Sequence, residues 1–331
     1  MTVAIKKVDN DVAGAVAEAM DLAGFRDALP KSSTVLVKVN LGWDLFIPGS
    51  VTNPAVFEAV IHVLKVHAAK IFVVESDQVL ENVEKAFLKS RMSDIAKAHG
   101  IPWVNLSREK IVLKYLAGNR VLKHVPVPEI LTRGLVLSLP VMKTHDKTTV
   151  TLCLKNQWGC IPKMRHRYHL FLTDAISDVN AAVGPKFAVV DGTIAMEGNA
   201  PKTGIPRVVG IVGAGSDLVE VDSVFAGLMG FDPKQVSHIA EAERRGLGKI
   251  SASYVGDKID PLRPFFPARS NLVSRVELSF RRSSLNHWIF DTPVFSLMLF
   301  GAKLYYYAFE MAKGRRIRKA FRTHPLYGRY Y

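Results

Sequence analysis

Only two of the 331 residues are cysteine, Cys153 and Cys160. That excludes a disulfide scaffold, a zinc site of the CxxC…CxxC kind and a complete four-cysteine iron–sulfur site within the chain. Charged residues are few, at 22%, against 48% hydrophobic ones, which excludes a disordered chain. The 23 Gly and 17 Pro follow no collagen-like or low-complexity period, and no internal repeat of fixed length is found. A secretory leader is not in evidence: Lys6 and Lys7 are followed by Asp9, Asn10 and Asp11 where an apolar run would stand. A cytoplasmic protein with reduced thiols is therefore expected. There is no GxxxxGK[ST] loop and no strand–GxGxxG–helix unit, and the glycine-rich run 210–215 reads equally well as a turn.

Positive charge is in excess, and it is unevenly placed. The chain has 44 Lys+Arg against 30 Asp+Glu, a net charge of +14. Residues 262–331 hold 13 of the former and three of the latter, whereas the first 261 hold 31 and 27. A boundary near residue 260 follows: an α/β domain over 1–260, with room for two lobes breaking near 125–140, and a basic, aromatic C-terminal extension over 261–331. The length suits one large domain or two modest ones and is ample for a core.

Within the first part, apolar runs at 3–8, 35–39, 70–74, 134–139, 187–190 and 208–212 read as strands. Helical spacing of apolar residues appears at 12–22, 54–69, 83–99, 217–229 and 233–245, the second opening on Asn53-Pro54. Strands alternating with helices predict an α/β fold with a parallel or mixed sheet and helices on both faces.

Polar residues at the ends of such strands face the crevice in which α/β proteins bind ligands. Lys38 with Asn40, and Glu75, satisfy that pattern, each against the even alternative of a solvated lysine or a turn cap. The densest chemistry lies in 143–169, with six Lys or Arg, three of the ten histidines and one acid. Lysines are anion receptors, and histidine moves protons near neutral pH. Lys155-Asn156 stands out within the otherwise apolar 150–158, because an unpaired buried ammonium is costly. A self-solvating basic loop, with Lys155 reaching out to water, is the plainer reading. Cys153 and Cys160 read best as small buried hydrophobes. Downstream, Asp191 ends a strand, and Gly198 and Gly204 bracket a Gly/Pro loop suited to close backbone approach to a ligand.

VLVKVNL (35–41), TNP (52–54), VVES (73–76), KTH (143–145), TLCLKNQWGCIP (151–162) with His169, VVDGTIAMEGNAPKTG (189–204) and DLVEVDSVFAGLMG (217–230) together resemble the domain-of-unknown-function family 362, over about residues 34–248. The family has no generally assigned reaction. Many members carry ferredoxin-type iron–sulfur modules, which implies redox chemistry for the group, but this chain lacks the cysteines for one. His145, Lys155 and His169 also resemble the His–Lys–His layout of the nickel-pincer lactate racemase family, without its glycine-rich context.

The expectation is an enzyme, of the oxidoreductase or isomerase kind, acting on an anionic small molecule or cofactor. His145, His169 and Lys155 would be catalytic. Lys38, Asn40, Glu75, Lys143, Asn156, Asp191, Gly198 and Gly204 would bind, with the metal and cofactor left open. The rival is a non-catalytic scaffold, peripheral at the inner face of a membrane. The apolar stretch 293–309 followed by the basic 313–322 suits an interfacial segment, placing an anionic lipid surface against residues 285–331. A core helix with a solvated basic tail explains the same residues. Nucleic acid finds no motif beyond charge.

Overall fold

The computed structural model describes every residue except Met1, Ser270, Asn271 and Asp291, and every other side chain except those of Lys163, Met164, His166, Leu272 and His287. The chain opens with β1 (Ala4–Lys7), α1 (Val12–Leu22), the short α2 (Phe25–Ala28), β2 (Thr34–Lys38), α3 (Pro54–Lys65) and β3 (Lys70–Glu75). Helix starts follow side-chain caps: Asp11 accepts from the Gly14 amide at 2.9 Å, and Asn53 accepts from the Ala55 amide at 3.0 Å with Pro54 in the first turn. The helix expected over 83–99 is two, α4 (Val83–Lys89) and α5 (Met92–Ala98). They part at Arg91, whose φ of 61° is left-handed. Both bury apolar residues in one core, so the apolar period runs through the break.

After β4 (Trp103–Asn105) comes a separate antiparallel pair, β5 (Ile111–Tyr115) and β6 (His124–Pro128). Then follow β7 (Leu135–Ser138), β8 (Val141–His145), β9 (Thr149–Thr151), the single turn α6 (Cys153–Asn156), a 3-10 run over Lys163–Phe171 and α7 (Leu172–Val183). The long hairpin β10 (Phe187–Glu197) and β11 (Ile205–Gly215) leads to α8 (Leu218–Leu228), α9 (Ser237–Arg244) and β12 (Val255–Gly256). The hairpin outruns the apolar stretches that announced it, because its polar members find partners inside the protein.

The strands form a ten-stranded sheet in the order β12-β1-β11-β10-β7-β2-β3-β4, with β8 pairing β10 and β9. It is mixed and mostly parallel: β10-β7-β2-β3-β4 run parallel, while β11 is antiparallel to β1 and to β10. Each face carries its own core. Val35 and Val37 face α1, α3, α4 and α5, while Leu36 faces α6 to α9 and the β5–β6 pair. The central strands are apolar throughout because both their faces are covered.

The last part, α10 (Leu272–Arg282), α11 (Asn286–Phe290), α12 (Val294–Phe309) and α13 (Arg315–Phe321), returns across the domain. Phe265, Ala302, Tyr306, Tyr327 and Tyr330 are buried, the Tyr331 ring stacks on Phe46 at 4.7 Å, and the Tyr330 hydroxyl donates to Glu58 at 3.0 Å. A five-residue π turn, Glu310–Gly314, joins α12 to α13. Among the described residues, no helix is long and apolar enough to cross a membrane.

Candidate functional site

A cavity of about 290 Å³ opens beyond the carboxyl ends of β2, β3 and β8, the place where α/β sheets bind ligands. Its floor starts from a buried ion pair: Lys38, last residue of β2, meets Glu75, last residue of β3, at 2.8 Å. The Leu41 and Ser76 amides also donate to Glu75, at 3.2 and 2.9 Å. Gly159 closes over the pair, and a Cβ there would lie 2.5 Å from Glu75 Oε1 and 2.7 Å from Lys38 Nζ. A chain of hydrogen bonds continues along the floor. Lys143 Nζ donates to Asn40 Oδ1 and to the Ser50 carbonyl, both at 2.6 Å. Asn40 donates to Asn156 at 3.1 Å, and Asn156 donates to the Lys38 carbonyl at 3.0 Å and to Ser138 at 3.2 Å. Every polar group of this row is anchored, so its positive charge is held in place in advance.

Lys155 differs. It stands in α6, whose N-terminus is held by Asp222 of α8 through the Cys153 and Leu154 amides at 2.7 and 2.9 Å. Its Nζ lies 5.9 Å from the Trp158 ring centroid and, among the described residues, has no hydrogen-bond or ion-pair partner. Burial, aided by Arg165 and Lys147, pushes its pKa down to about 7. Burial and the Lys155 charge bring Lys143 down to about 7 as well. Arg165 is buried beside them and donates to Ser76 at 3.1 Å and to the Ile161 carbonyl at 2.7 Å.

The two histidines have different partners. His145 Nδ1 accepts from the Lys147 amide at 3.0 Å and lies 3.2 Å from Asp146. Burial and the Lys155 charge hold its pKa well below the usual value, and the bond from the Lys147 amide leaves Nε2 to carry the proton of the neutral ring. His169 Nδ1 lies 2.7 Å from Glu277. Burial would raise Glu277, yet the hydrogen bond from His169 and the charges of His169 and Lys147 outweigh it and hold the carboxyl far down. An ionised Glu277 places a proton of His169 on Nδ1. Burial lowers His169 itself, with Glu277 opposing.

The far end of the cavity holds groups with no sequence signal. Lys202, from the 198–204 loop, sits 4.9 Å from the Trp43 ring centroid and 4.5 Å from that of Tyr306, and burial lowers it to about 8. Glu81 is pushed up to about 7 by burial and by neighbouring Asp44. The roof is apolar: Val273, Phe290, Phe295, Met298, Leu299, Ala302 and Tyr306 from α10 to α12 and the turn before α12.

Of the residues singled out from sequence, Lys38, Asn40, Glu75, Lys143, His145, Lys155, Asn156 and His169 line this one cavity. Asp191, Gly198 and Gly204 stand outside its wall. The Asp191 carboxylate accepts from the Asn53 amide at 2.8 Å and from the Thr193 hydroxyl at 2.6 Å, tying the start of α3 to the sheet. The Gly198 carbonyl accepts from Thr144 at 2.7 Å, and Gly204 packs where a Cβ would strike Met196. Their loop still reaches the cavity through Asn199, Ala200, Pro201 and Lys202. Cys153 and Cys160 are buried, unbridged and outside the wall, and burial pushes the Cys160 thiol up to about 12. Among the described residues, one group of three metal-type donors occurs, Glu58, His62 and His99, away from the cavity wall and with Glu58 already bonded by Tyr330.

Residues 35–227, more than half of the chain, match the family described as "Domain of unknown function (DUF362)". The chain belongs to the DUF362 family. The floor of the cavity lies inside the DUF362 match, and Glu277 and the apolar roof lie outside it. Thylakoid-associated protein sll1697 of Synechocystis sp. is 33% identical over 135 residues, 38% of this chain and 41% of that protein. The match thus spans about two fifths of that relative's length. The lactate racemase apoprotein from Thermoanaerobacterium thermosaccharolyticum superposes with a TM-score of 0.36 at 10% identity, covering 72% of this chain and 55% of that one. That likeness is too loose to lay one site on the other.

Proposed function

We propose that this DUF362 protein is an enzyme that binds a small anion carrying an apolar portion and moves a proton on it. The observation that carries this reading is Lys155: an amine at the cavity wall that no acid meets in a hydrogen bond or ion pair among the described residues, with Asp146 acting on it only at a distance. A half-buried amine without an ion-pair partner is costly to charge, and a carboxylate or phosphate ligand offsets that cost through a charge-assisted hydrogen bond. The anion lies against Lys155 and Arg165, and its apolar portion lies under Phe295, Met298 and Leu299. His145, with its proton on Nε2, acts as the acid, and His169, oriented by Glu277, acts as the base. Isomerisation needs no more than these two groups, whereas an oxidoreductase would need a bound cofactor in the same space. On this reading the protein works in the cytoplasm.

The test is mass spectrometry of small molecules released from the purified protein, followed by incubation of the bound form in deuterated water. An anion retained by the parent and lost from Lys155→Met, with solvent deuterium entering it only when His169 is present, is the expected result. A co-purifying ligand unchanged by Lys155→Met removes the reading. A second reading, a peripheral membrane protein without catalysis, takes support from the name of the thylakoid-associated relative. Retention of a ligand with no deuterium entry would favour it.

A further inference from the structure

Helix α12 has two unlike faces. Leu299, Ala302, Tyr306 and Phe309 turn toward the domain, and the side continues through Ile317 and Phe321 of α13, all packed against core residues. The opposite side carries Leu297, Phe300, Leu304 and Met311 at 71, 60, 56 and 66% exposure, with exposed Ala308 between the last two. Steps of three and four residues keep these on one stripe. The π turn Glu310–Gly314 shifts the helical phase, and beyond it Arg315, Lys319 and Arg322 are all exposed. An exposed side that is apolar for about four turns is therefore followed along the chain by exposed cations. Trp288, 61% exposed, adds an aromatic ring nearby in the chain.

Acidic residues are absent from this stripe. Of the three acids in 262–331, Glu277 faces the cavity and Glu310 is buried against Arg318, while Asp291 lies outside the described residues. Gly314 makes the second arrangement fit, since a Cβ there would collide with the Glu310 carboxylate. The 16 residues of α12 reach only about 24 Å at 1.5 Å per residue, short of a bilayer core.

We infer that the outward side of α12 and α13 seats on an anionic phospholipid bilayer, with Leu297, Phe300, Leu304 and Met311 in the acyl boundary and Arg315, Lys319 and Arg322 at the headgroups. Charge complementarity selects the occupant: a duplex would use the arginines but leave the apolar stripe in water, whereas an anionic leaflet uses both. The inference stands apart from the chemistry of the cavity, although α12 also roofs it.

The experiment is co-sedimentation of the full chain with phosphatidylcholine vesicles, with and without phosphatidylglycerol, at low and high salt. The chain should bind the anionic vesicles, less so in high salt, and bind neutral ones far more weakly. The triple change Arg315→Gln, Lys319→Gln and Arg322→Gln should weaken binding about a hundredfold, at roughly fivefold per basic residue. Leu297→Ser with Leu304→Ser and Met311→Ser should abolish it. In a variant keeping only Trp288, its fluorescence should be quenched by lipid-borne quenchers. Failure to bind anionic vesicles overturns the inference. So does binding untouched by the serine changes, or an apolar stripe that instead drives a concentration-dependent dimer.

Discussion

The floor and the roof of the cavity are built on different principles. The floor comes from strand ends and α6, and its charges other than Lys155 are locked by near neighbours: Lys38 on Glu75, Lys143 on Asn40 and the Ser50 carbonyl. The roof comes from helices 100 or more residues downstream in the chain and is apolar, touching the floor through a few polar contacts such as Lys147–Glu277 at 3.0 Å and Glu277–His169. Rigid charge sits below and deformable hydrocarbon above. Such a division suits a fixed anion receptor whose selectivity for the rest of the ligand is set by a separate segment.

The contrast can be broken hardest at the floor. Lys38→Met leaves Glu75 buried without its cation, and a denaturant melt should show a loss of about 3–5 kcal/mol. A loss under 1 kcal/mol would mean that the amides of Leu41 and Ser76 suffice for that carboxylate. Gly159→Ala pushes a methyl into the same pair and should lower stability by about 1–3 kcal/mol, with Gly159→Ser no better. At the roof, Glu277→Gln weakens bonds to His169, Lys147 and Arg281 and should cost about 1–2 kcal/mol at neutral pH. The folded-state pKa of Glu277 is depressed, so its contribution is present above the unfolded value near 4.5 and is lost as pH falls below it. The gap in Tm between the parent and Glu277→Gln should therefore narrow on acidification below that value, and a constant gap would contradict the assignment.

Lys155→Met should have the smallest effect on stability, within about 1 kcal/mol or a gain, because it removes a cation that no acid holds. It carries a pH signature as well. Lys143 and Lys155 titrate near 7 when folded against 10.5 when unfolded, so the unfolded chain binds more protons between those values and stability should rise with pH across them. The slope should be shallower in Lys155→Met, and an identical slope would place that lysine in water.

The fold was legible where burial on both sides of a strand leaves an unbroken apolar run, as at 35–39 and 70–74. It was illegible where polar side chains are satisfied inside the protein. β8 and β9 carry Lys143, Thr144 and Thr151 and show no strand pattern, and Asp191 and Thr193 extend β10 past its apolar start. Lys38, Glu75, Lys155 and Asn156 were conspicuous because each interrupts hydrocarbon. Asp191 sent the same signal, yet its carboxylate is occupied by the turn into α3. Glu81, Lys202 and Glu277 gave none. Their surroundings in the sequence are ordinary for solvent-facing residues, and only the return of α10 to α12 across the domain encloses them. The break between α4 and α5 was hidden for the opposite reason, since one core draws the same residues from both.

The indole of Trp43 touches three separate parts of the molecule at once: its own loop after β2, Lys202 of the β10–β11 loop, and the edge of Tyr306 in the roof at 5.4 Å. The ring is almost fully buried. Displacement of the roof would wet this ring and leave Trp103, stacked on Phe87 at 4.0 Å, untouched. The protein thus contains an optical gauge of its own closure. In a variant keeping only Trp43, the emission maximum should move to the red when Tyr306→Ala loosens α12, and back to the blue when a ligand draws the roof down.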